Sequence, residues 1–366
     1  MKRKNIPQTK STEELMAQIP DDEIWTYRIE GLQEPQIGTD HAHSAGKKIL
    51  TIVSLLIAIG LSIFFSIRAV HTQTFKFKEL DDGTYELIKY SNPGNMQTLK
   101  IDFADNDASK PITVLHEYAF NCDDKLETIR IGESVNSIDG KSFYSCEKLQ
   151  NIFVDENNAF FCDVDGVLYT KDLSEVICYP IDHDQYLRSK NGYETELTAD
   201  DDEYDAYVDA VLTYRFPAET KKVGMLSFNY AELENIYLPQ GLETIETMAF
   251  FKCTMLRNVY TVSESGQYPS LPEGLAYIGS DAFSYDQGLS YLYIPDSVTF
   301  IGHHAFWDTV YKENGELAGV SVIHAALDEE TFKKQVHTGD QWKPEYDYML
   351  FKKAVDVQYA AERVTK

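Results

Sequence analysis

Apolar residues are distributed along this chain in two ways. One is a continuous block, the run that begins at Ile49 and ends at Ile67 (ILTIVSLLIAIGLSIFFSI), with 19 residues and no charge. As a helix rising 1.5 Å per residue it covers about 28 Å, close to the hydrocarbon thickness of a bilayer, and it predicts one transmembrane helix. Lys47 and Lys48 precede the run and Arg68 follows it, while the leader adds Lys2, Arg3, Lys4, Lys10 and Arg28. That basic excess predicts a cytoplasmic N-terminus. A cleaved signal peptide, the alternative, has a shorter apolar region and a small-x-small site, which Ile67-Arg68-Ala69 matches poorly.

The second distribution is periodic. A small residue followed by Phe recurs at Phe120, Phe143, Phe228, Phe250, Phe283 and Phe306, with spacings of 23, 85, 22, 33 and 23 residues. Leu126, Leu149, Leu256 and Leu289 stand six residues after a Phe, and Leu233 stands five after. Two apolar residues then alternate, as in Ile129/Ile131, Ile152/Val154, Ile236/Leu238 and Leu292/Ile294, which reads as a short strand with one buried face. A Gly or Pro turn and a further pair, such as Leu242/Ile245 or Val298/Ile301, return the chain to the next Phe. Such self-similarity predicts a solenoid in which the six Phe residues anchor the repeats from inside.

LSYLYIPDSVTFIGHHAF and LENIYLPQGLETIETMAFFKCTML resemble the BspA-type leucine-rich repeat, whose units pair an apolar strand with an AF-x-x-C-x-x-L turn. The resemblance covers roughly residues 74–325. FKELDDGTYELIKY is similar to the hairpin that opens such arrays, with its turn at Asp81-Asp82-Gly83. VDENNAFFCDVDGVLYTKDLSEVICYP resembles the extended hairpin repeat, and alternation around Thr170-Lys171-Asp172 predicts two paired strands, with Gly166 opposite Cys178. Insertions are expected at 181–210 and 263–270. After Phe306, GVSVIHAALDEETFKKQV predicts a last strand and a helix N-capped by Asp328, and a second helix is expected over 348–363.

The expected fold is therefore a leucine-rich-repeat solenoid, β-rich with short strands and few helices, carrying one N-terminal transmembrane helix and a C-terminal α-helical cap. Its predicted parts are a mostly disordered cytoplasmic tail (1–46), a signal-anchor helix (47–70), the solenoid (71–325) with an acidic insertion (181–210), and the cap (326–366).

Charge narrows the partners. The 366 residues carry 33 Lys and Arg against 59 Asp and Glu, a net −26, and residues 1–68 are neutral, so all the net acid falls beyond the apolar run. Phosphate neutralisation is a poor role for such a chain, and no nucleic-acid partner is expected.

Candidate chemistry is sparse. No G-x-S-x-G, H-E-x-x-H, P-loop or G-x-G-x-x-G occurs, so no catalytic, cofactor-binding or metal residue is assigned and no enzyme is expected. Opposed carboxylates of a surface hydrolase remain an alternative that spacing alone does not exclude. Cys146 and Cys253 occupy the Phe+3 position and Cys122 falls one residue early, so buried thiols are expected over disulfides, with Cys122 to Cys146 the best bridging pair. Cys162 and Cys178 flank the extended hairpin out of mutual reach. His303-His304, read as an extended pair, points to opposite faces and is expected at the surface. Residues 194–209 hold eight carboxylates and no base, a solvated loop or a low-affinity calcium site, although Asp200-Asp201-Asp202 lacks the spacing of an EF-hand. Tyr193, Tyr204 and Tyr207 beside them offer a protein contact.

A membrane-anchored surface protein is the resulting expectation. It meets the lipid bilayer through residues 49–67, and what the resemblance implies is binding or adhesion toward a protein or glycan. A structural or sensory envelope protein docked on another membrane protein is the alternative. Arg130, Phe153, Tyr237, Tyr293 and Asn258 are the side chains expected on the outer strand face.

Overall fold

Three sets of backbone hydrogen bonds join successive coils in the computed structural model, which describes residues 74–362 apart from 93, 95, 121, 122, 264, 265, 290, 308, 314, 315, 320, 321, 340–344, 347–352 and 355. The chain divides into Met1–Ile67 and Arg68–Lys366, and all described residues belong to the second unit. The expected tail, the apolar run and Cys122 lie outside the described residues. Among the described residues no helix is long and apolar enough to cross a membrane.

The first set consists of the alternating strands. Thr98–Ile101, Thr128–Ile131 and Asn151–Val154 form one parallel sheet. Thr213–Arg215, Asn235–Pro239 and Asn258–Ser263 form another, and Leu292–Ile294, Val322–Ala325 and Asp356–Gln358 a third. Ile129, Ile131, Ile152, Ile236, Leu238, Leu292 and Ile294 are buried, as period-two alternation requires.

The second set is a ladder of two-residue strands, Lys222–Val223, Thr244–Ile245, Tyr277–Ile278, Phe300–Ile301 and His337–Thr338, all parallel and in register. Gly279 and Gly302 follow its buried isoleucines, and a Cβ at either would stand 2.3 Å from the backbone nitrogen of Thr247 or Ser280 in the preceding coil. Only glycine lets the backbones approach this closely.

The third set lies at the phenylalanines. Phe120 N–H donates to the Ser142 carbonyl at 2.9 Å, Phe228 to Ala249 and Phe250 to Ala282 at 2.8 Å, and Phe283 to Ala305 at 2.7 Å. The residue before each Phe is small because its carbonyl must reach the preceding coil, and the rings behind it then stack. Phe120 lies 5.5 Å from Phe143, and Phe228, Phe250, Phe283 and Phe306 follow one another at 5.1 to 5.5 Å.

Two tyrosines complete this spine. Tyr90 N–H donates to Ala119 at 2.8 Å and Tyr179 N–H to Ser227 at 2.7 Å, and their rings lie 5.9 Å from Phe120 and 4.9 Å from Phe228. Tyr90 ends the opening hairpin of Thr74–Glu79 and Tyr85–Ser91, which turns at Gly83 as expected.

The extended hairpin is a three-stranded meander rather than a single pair. Phe161–Val164, Val167–Thr170 and Glu175–Cys178 turn first at Asp165-Gly166, where φ is 53° and 86°, and then at 171–174. A bulge between Val176 and Cys178 sets Cys178 opposite Leu168, not Gly166. Leu168, Ile177 and Cys178 join the cluster of Phe120 and Phe143, whereas Val167, Tyr169 and Val176 join that of Phe228 and Phe250. The meander therefore separates two cores.

Three inserted pieces interrupt the coils. Residues 181–210 hold helices α1 (His183–Asn191) and most of α2 (Tyr204–Val211), packed through Leu187, Tyr193, Tyr207 and Val211, while the acidic residues 194–203 between them form an exposed loop. Asn258–Ser263 turns back as Gly266–Tyr268, and Val310–Glu313 pairs with Glu316–Gly319. Helix α3 (Glu329–Gln335) follows Asp328, whose carboxylate accepts the Thr331 N–H at 3.0 Å. The second expected cap helix is corrected: Lys353–Ala354 and Asp356–Gln358 are strands, and the latter covers the open edge of Val322–Ala325. Pairing with a free ladder edge outweighs local helix preference.

Three free thiols, Cys162, Cys178 and Cys253, occur among the described residues. Cys146 Sγ donates to the Phe120 carbonyl and Cys253 Sγ to that of Phe228, each at 3.0 Å. Asp286 takes the same Phe+3 place, fully buried; its Oδ1 accepts the Cys253 N–H at 2.8 Å and its Oδ2 meets no donor among the described residues. Burial raises its pKa well above the ordinary carboxylate value, against a smaller lowering by the Cys253 N–H. Burial thus disfavours the charged form of this carboxyl.

Two outcomes follow from this packing. Phe250→Ala and Tyr179→Ala each cost about 3–5 kcal/mol in urea denaturation, and a loss under 1 kcal/mol at Tyr179 would remove it from the spine. Folded Asp286 keeps its proton above ~3.9, where the unfolded residue releases it, so stability falls as pH rises from there toward the raised folded value. Asp286→Asn removes that slope in melting curves; an unchanged slope would show that Asp286 is ionised in the fold.

Candidate binding surface

On the long-strand face the outward positions form columns. Arg130 lies over the Phe153 ring at 5.1 Å, and Arg215 over Tyr237 at 4.7 Å, with Tyr237 in turn stacked on Tyr260 at 4.9 Å and 21°. Beside them the Asn258 amide donates to Asn235 at 2.8 Å, and Asn235 to Thr213 at 3.2 Å. Arg130, Phe153, Tyr237 and Asn258 therefore reach the outer face as expected. Tyr293 is a correction: it is 5% exposed, because the segment returning from the 263–270 insertion lies against it, with Leu271 N–H donating to its carbonyl at 3.4 Å. Where neighbouring columns stack face to face, the rings satisfy one another and offer mainly edges outward.

The phenylalanine turns are built differently. Residues at Phe+2 adopt left-handed backbone: Ser145, Tyr230, Lys252 and Tyr285 have φ of 57° to 67°. This strain, on the order of 1–2 kcal/mol per residue, is held by bonds between coils. Tyr230 N–H donates to Phe251, Lys252 to Ser284 and Tyr285 to Trp307, at 2.8 to 2.9 Å.

An aromatic ribbon results. Tyr230 meets Phe251 at 6.1 Å and 80°, Phe251 meets Tyr285 at 5.5 Å and 88°, and Tyr285 meets Trp307 at 4.9 Å and 88°. In an edge-to-face zigzag only one of the two ring orientations can face along the ribbon, so the other set turns its faces away from it. Tyr230 is 38% exposed, and Phe251, Lys252, Tyr285 and Trp307 are partly exposed. Lys252 Nζ stands 5.2, 5.4 and 5.3 Å from the ring centres of Tyr230, Phe251 and Tyr285, within cation–π range, and donates to the Tyr230 hydroxyl at 3.2 Å. That hydrogen bond is the main cause raising the Lys252 pKa, with Tyr230, Tyr285 and Tyr144 adding to it. An aromatic at Phe+1 or Phe+2 in successive coils was the available sequence signal.

The other candidates are engaged locally. Asp201 accepts the Thr198 N–H at 2.7 Å, and among the described residues no group of three His, Cys, Asp or Glu could hold a metal ion. His304 is not extended; it turns at φ 54°, lies 5.7 Å from Trp307 and stands 3.8 Å from Asp281. A cleft of about 340 Å³ is lined by Glu86, His116, Glu117 and Asp139, but Glu86 contacts His116 at 2.8 Å and Lys78 at 3.4 Å, and Glu117 contacts Lys141 at 3.1 Å. A second, of about 260 Å³, opens where strand Ser137–Ile138 meets the meander. In the helical insertion, Tyr204 donates to Glu234, and Asp184 lies 3.4 Å from Arg188. Burial and then the charge of Glu232 push the Asp184 carboxyl up to about 6, with Arg188 opposing.

Comparison with known proteins places the repeats. Residues 94–163 and 210–313 match the family model described as BspA type leucine rich repeat region, in six copies. A leucine-rich repeat protein of Eubacterium ventriosum aligns over 75% of this chain and 84% of its own at 14% identity and a TM-score of 0.43. The pneumococcal vaccine antigen PcpA aligns over 66% of each chain at 19% identity and TM-score 0.36, and a leucine rich cell surface protein of Faecalibacterium prausnitzii over 73% and 92% at 17% and 0.29. No curated protein sequence matches this chain.

The raised Asp184 value has a defined sign. Between ~3.9 and about 6 the folded carboxyl binds a proton that the unfolded one has lost, so its contribution to stability is lost as pH rises through that interval. Melting temperatures should fall from pH ~4 to ~6, and Asp184→Asn should flatten that part of the profile. Equal slopes for variant and parent would assign the dependence elsewhere.

Proposed function

The repeat array belongs to the BspA type leucine-rich repeat family, and from that premise we propose that this chain is a membrane-anchored surface protein whose array binds a macromolecular partner, a protein or a glycan, and so mediates adhesion. The observation that carries the reading is the ribbon of Tyr230, Phe251, Tyr285 and Trp307 around Lys252. Aromatic side chains supply large contact area with few rotatable bonds, and here bonds between coils already fix their backbone, so little ordering remains at association. Anchoring through the bilayer is supported by the charge-free run from Ile49 to Ile67 and its basic flank, with the array outside. Binding is favoured over catalysis by the ion pairs that occupy Glu86 and Glu117 at the cleft between them.

Protease shaving of intact cells carrying a C-terminal tag tests the topology. Loss of the tag with a cytoplasmic control spared is the expected result, and a protected tag in the membrane fraction would withdraw the surface reading. Phe251→Ala with Trp307→Ala then tests the ribbon: attachment to the partner surface should weaken by about tenfold or more at unchanged display. Undiminished attachment would move the binding face away from the turns.

A further inference from the structure

We propose that the ribbon receives a cationic segment of a protein partner, whose Lys or Arg side chains replace Lys252 over Tyr230, Phe251 and Tyr285. This rests on the ribbon being the binding face.

The site already holds a cation, and the manner of holding it is the first argument. Lys252 Nζ lies within 5.4 Å of three ring centres. No ion pair among the described residues involves it. Its tether is therefore the three rings and one phenol hydroxyl, on a flexible four-carbon stem. A ligand ammonium or guanidinium can make the same contacts, and guanidinium makes them better because it is planar and weakly hydrated. Arg215 over Tyr237 and Arg130 over Phe153 are the chain's own examples of that contact.

Charge supplies the second argument. The chain carries a net −26, all of it beyond residue 68, so a basic segment is attracted at long range and an acidic one repelled. At the Trp307 end of the ribbon, His304 contacts the indole and itself stands 3.8 Å from the Asp281 carboxyl. Lys252 is then a resident occupant. It keeps the rings ordered when the partner is away and, carrying the partner's sign, competes with it.

This role makes a signed test possible. The full chain in detergent is titrated calorimetrically with an arginine-rich peptide at physiological and at high salt. Trp307→Ala with Tyr285→Ala leaves the charge unchanged and should lower affinity by about tenfold. Lys252→Met should raise affinity by about threefold beyond the effect of Lys334→Met, the same charge change made on helix α3. Melting curves establish that each variant is folded. Weaker binding by Lys252→Met would overturn the inference, as would ring variants that bind the peptide like the parent, because the peptide would then be held by diffuse charge alone. Preferential binding of a neutral oligosaccharide at the rings would also overturn it. If the ring variants lose attachment to the partner surface yet bind the peptide normally, the ribbon stays the binding face and only the cationic partner is refuted. If they lose neither, the ribbon reading itself fails.

Discussion

At the residue before each anchoring Phe after the first coil, the carbonyl accepts the backbone N–H of the aromatic one coil earlier at 2.7 to 2.9 Å, and the side chain there must be small enough to permit it. From Tyr90 to Ala119 and from Tyr179 through Ala305, that contact sets the distance between coils. Ring stacking at about 5 Å, the glycines behind Ile278 and Ile301, and the registered strand ladders are all arrangements that fit the same repeat distance. The Phe+3 side chain secures the turn from inside by returning a hydrogen bond to the preceding coil, as Cys146 and Cys253 do. Asp286 fills the same place by accepting the Cys253 N–H of the preceding coil.

The same constraint divides the surface into faces with different capacities. On the long strands the outward residues lie directly over one another, so like stacks on like and the columns of Tyr237 and Tyr260 or Asn235 and Asn258 satisfy themselves. At the turns the backbone is left-handed, and the side chains at Phe+1 and Phe+2 meet edge to face. A binding ribbon arises there because the geometry prevents the rings from saturating one another.

Much of the fold was legible because it rests on period alone. Six Phe anchors, the alternating strands, the Asp81-Asp82-Gly83 turn and the Asp328 cap are each written in residue type and spacing. Tyr90 and Tyr179 escaped because the motif was defined by Phe after a small residue, whereas Lys89 and Cys178 precede the tyrosines. The meander's first turn carried a readable Asp165-Gly166 signal, but the strands Val167–Thr170 and Glu175–Cys178 that follow it are buried on both faces, which blurs their alternation. The ribbon was hidden by turns at Tyr230, Lys252 and Tyr285, where no glycine announces the left-handed backbone. Tyr293 and the strand at Asp356–Gln358 depend on a neighbouring insertion and a free edge, which local sequence does not record.

Arrays in which each repeat touches only its neighbours share one weakness: an opening at one end can travel along the whole length. The meander of Phe161–Val164, Val167–Thr170 and Glu175–Cys178 interrupts that route. Both strand ladders change sheets there, and its side chains are divided between the two cores. It acts as a firebreak. A tear begun among the first coils, or a proteolytic cut within them, meets a wall whose hydrogen bonds run antiparallel and whose far side is already packed. The coils from Tyr179 onward, with the ribbon they carry, can outlast damage to the part of the array that precedes them.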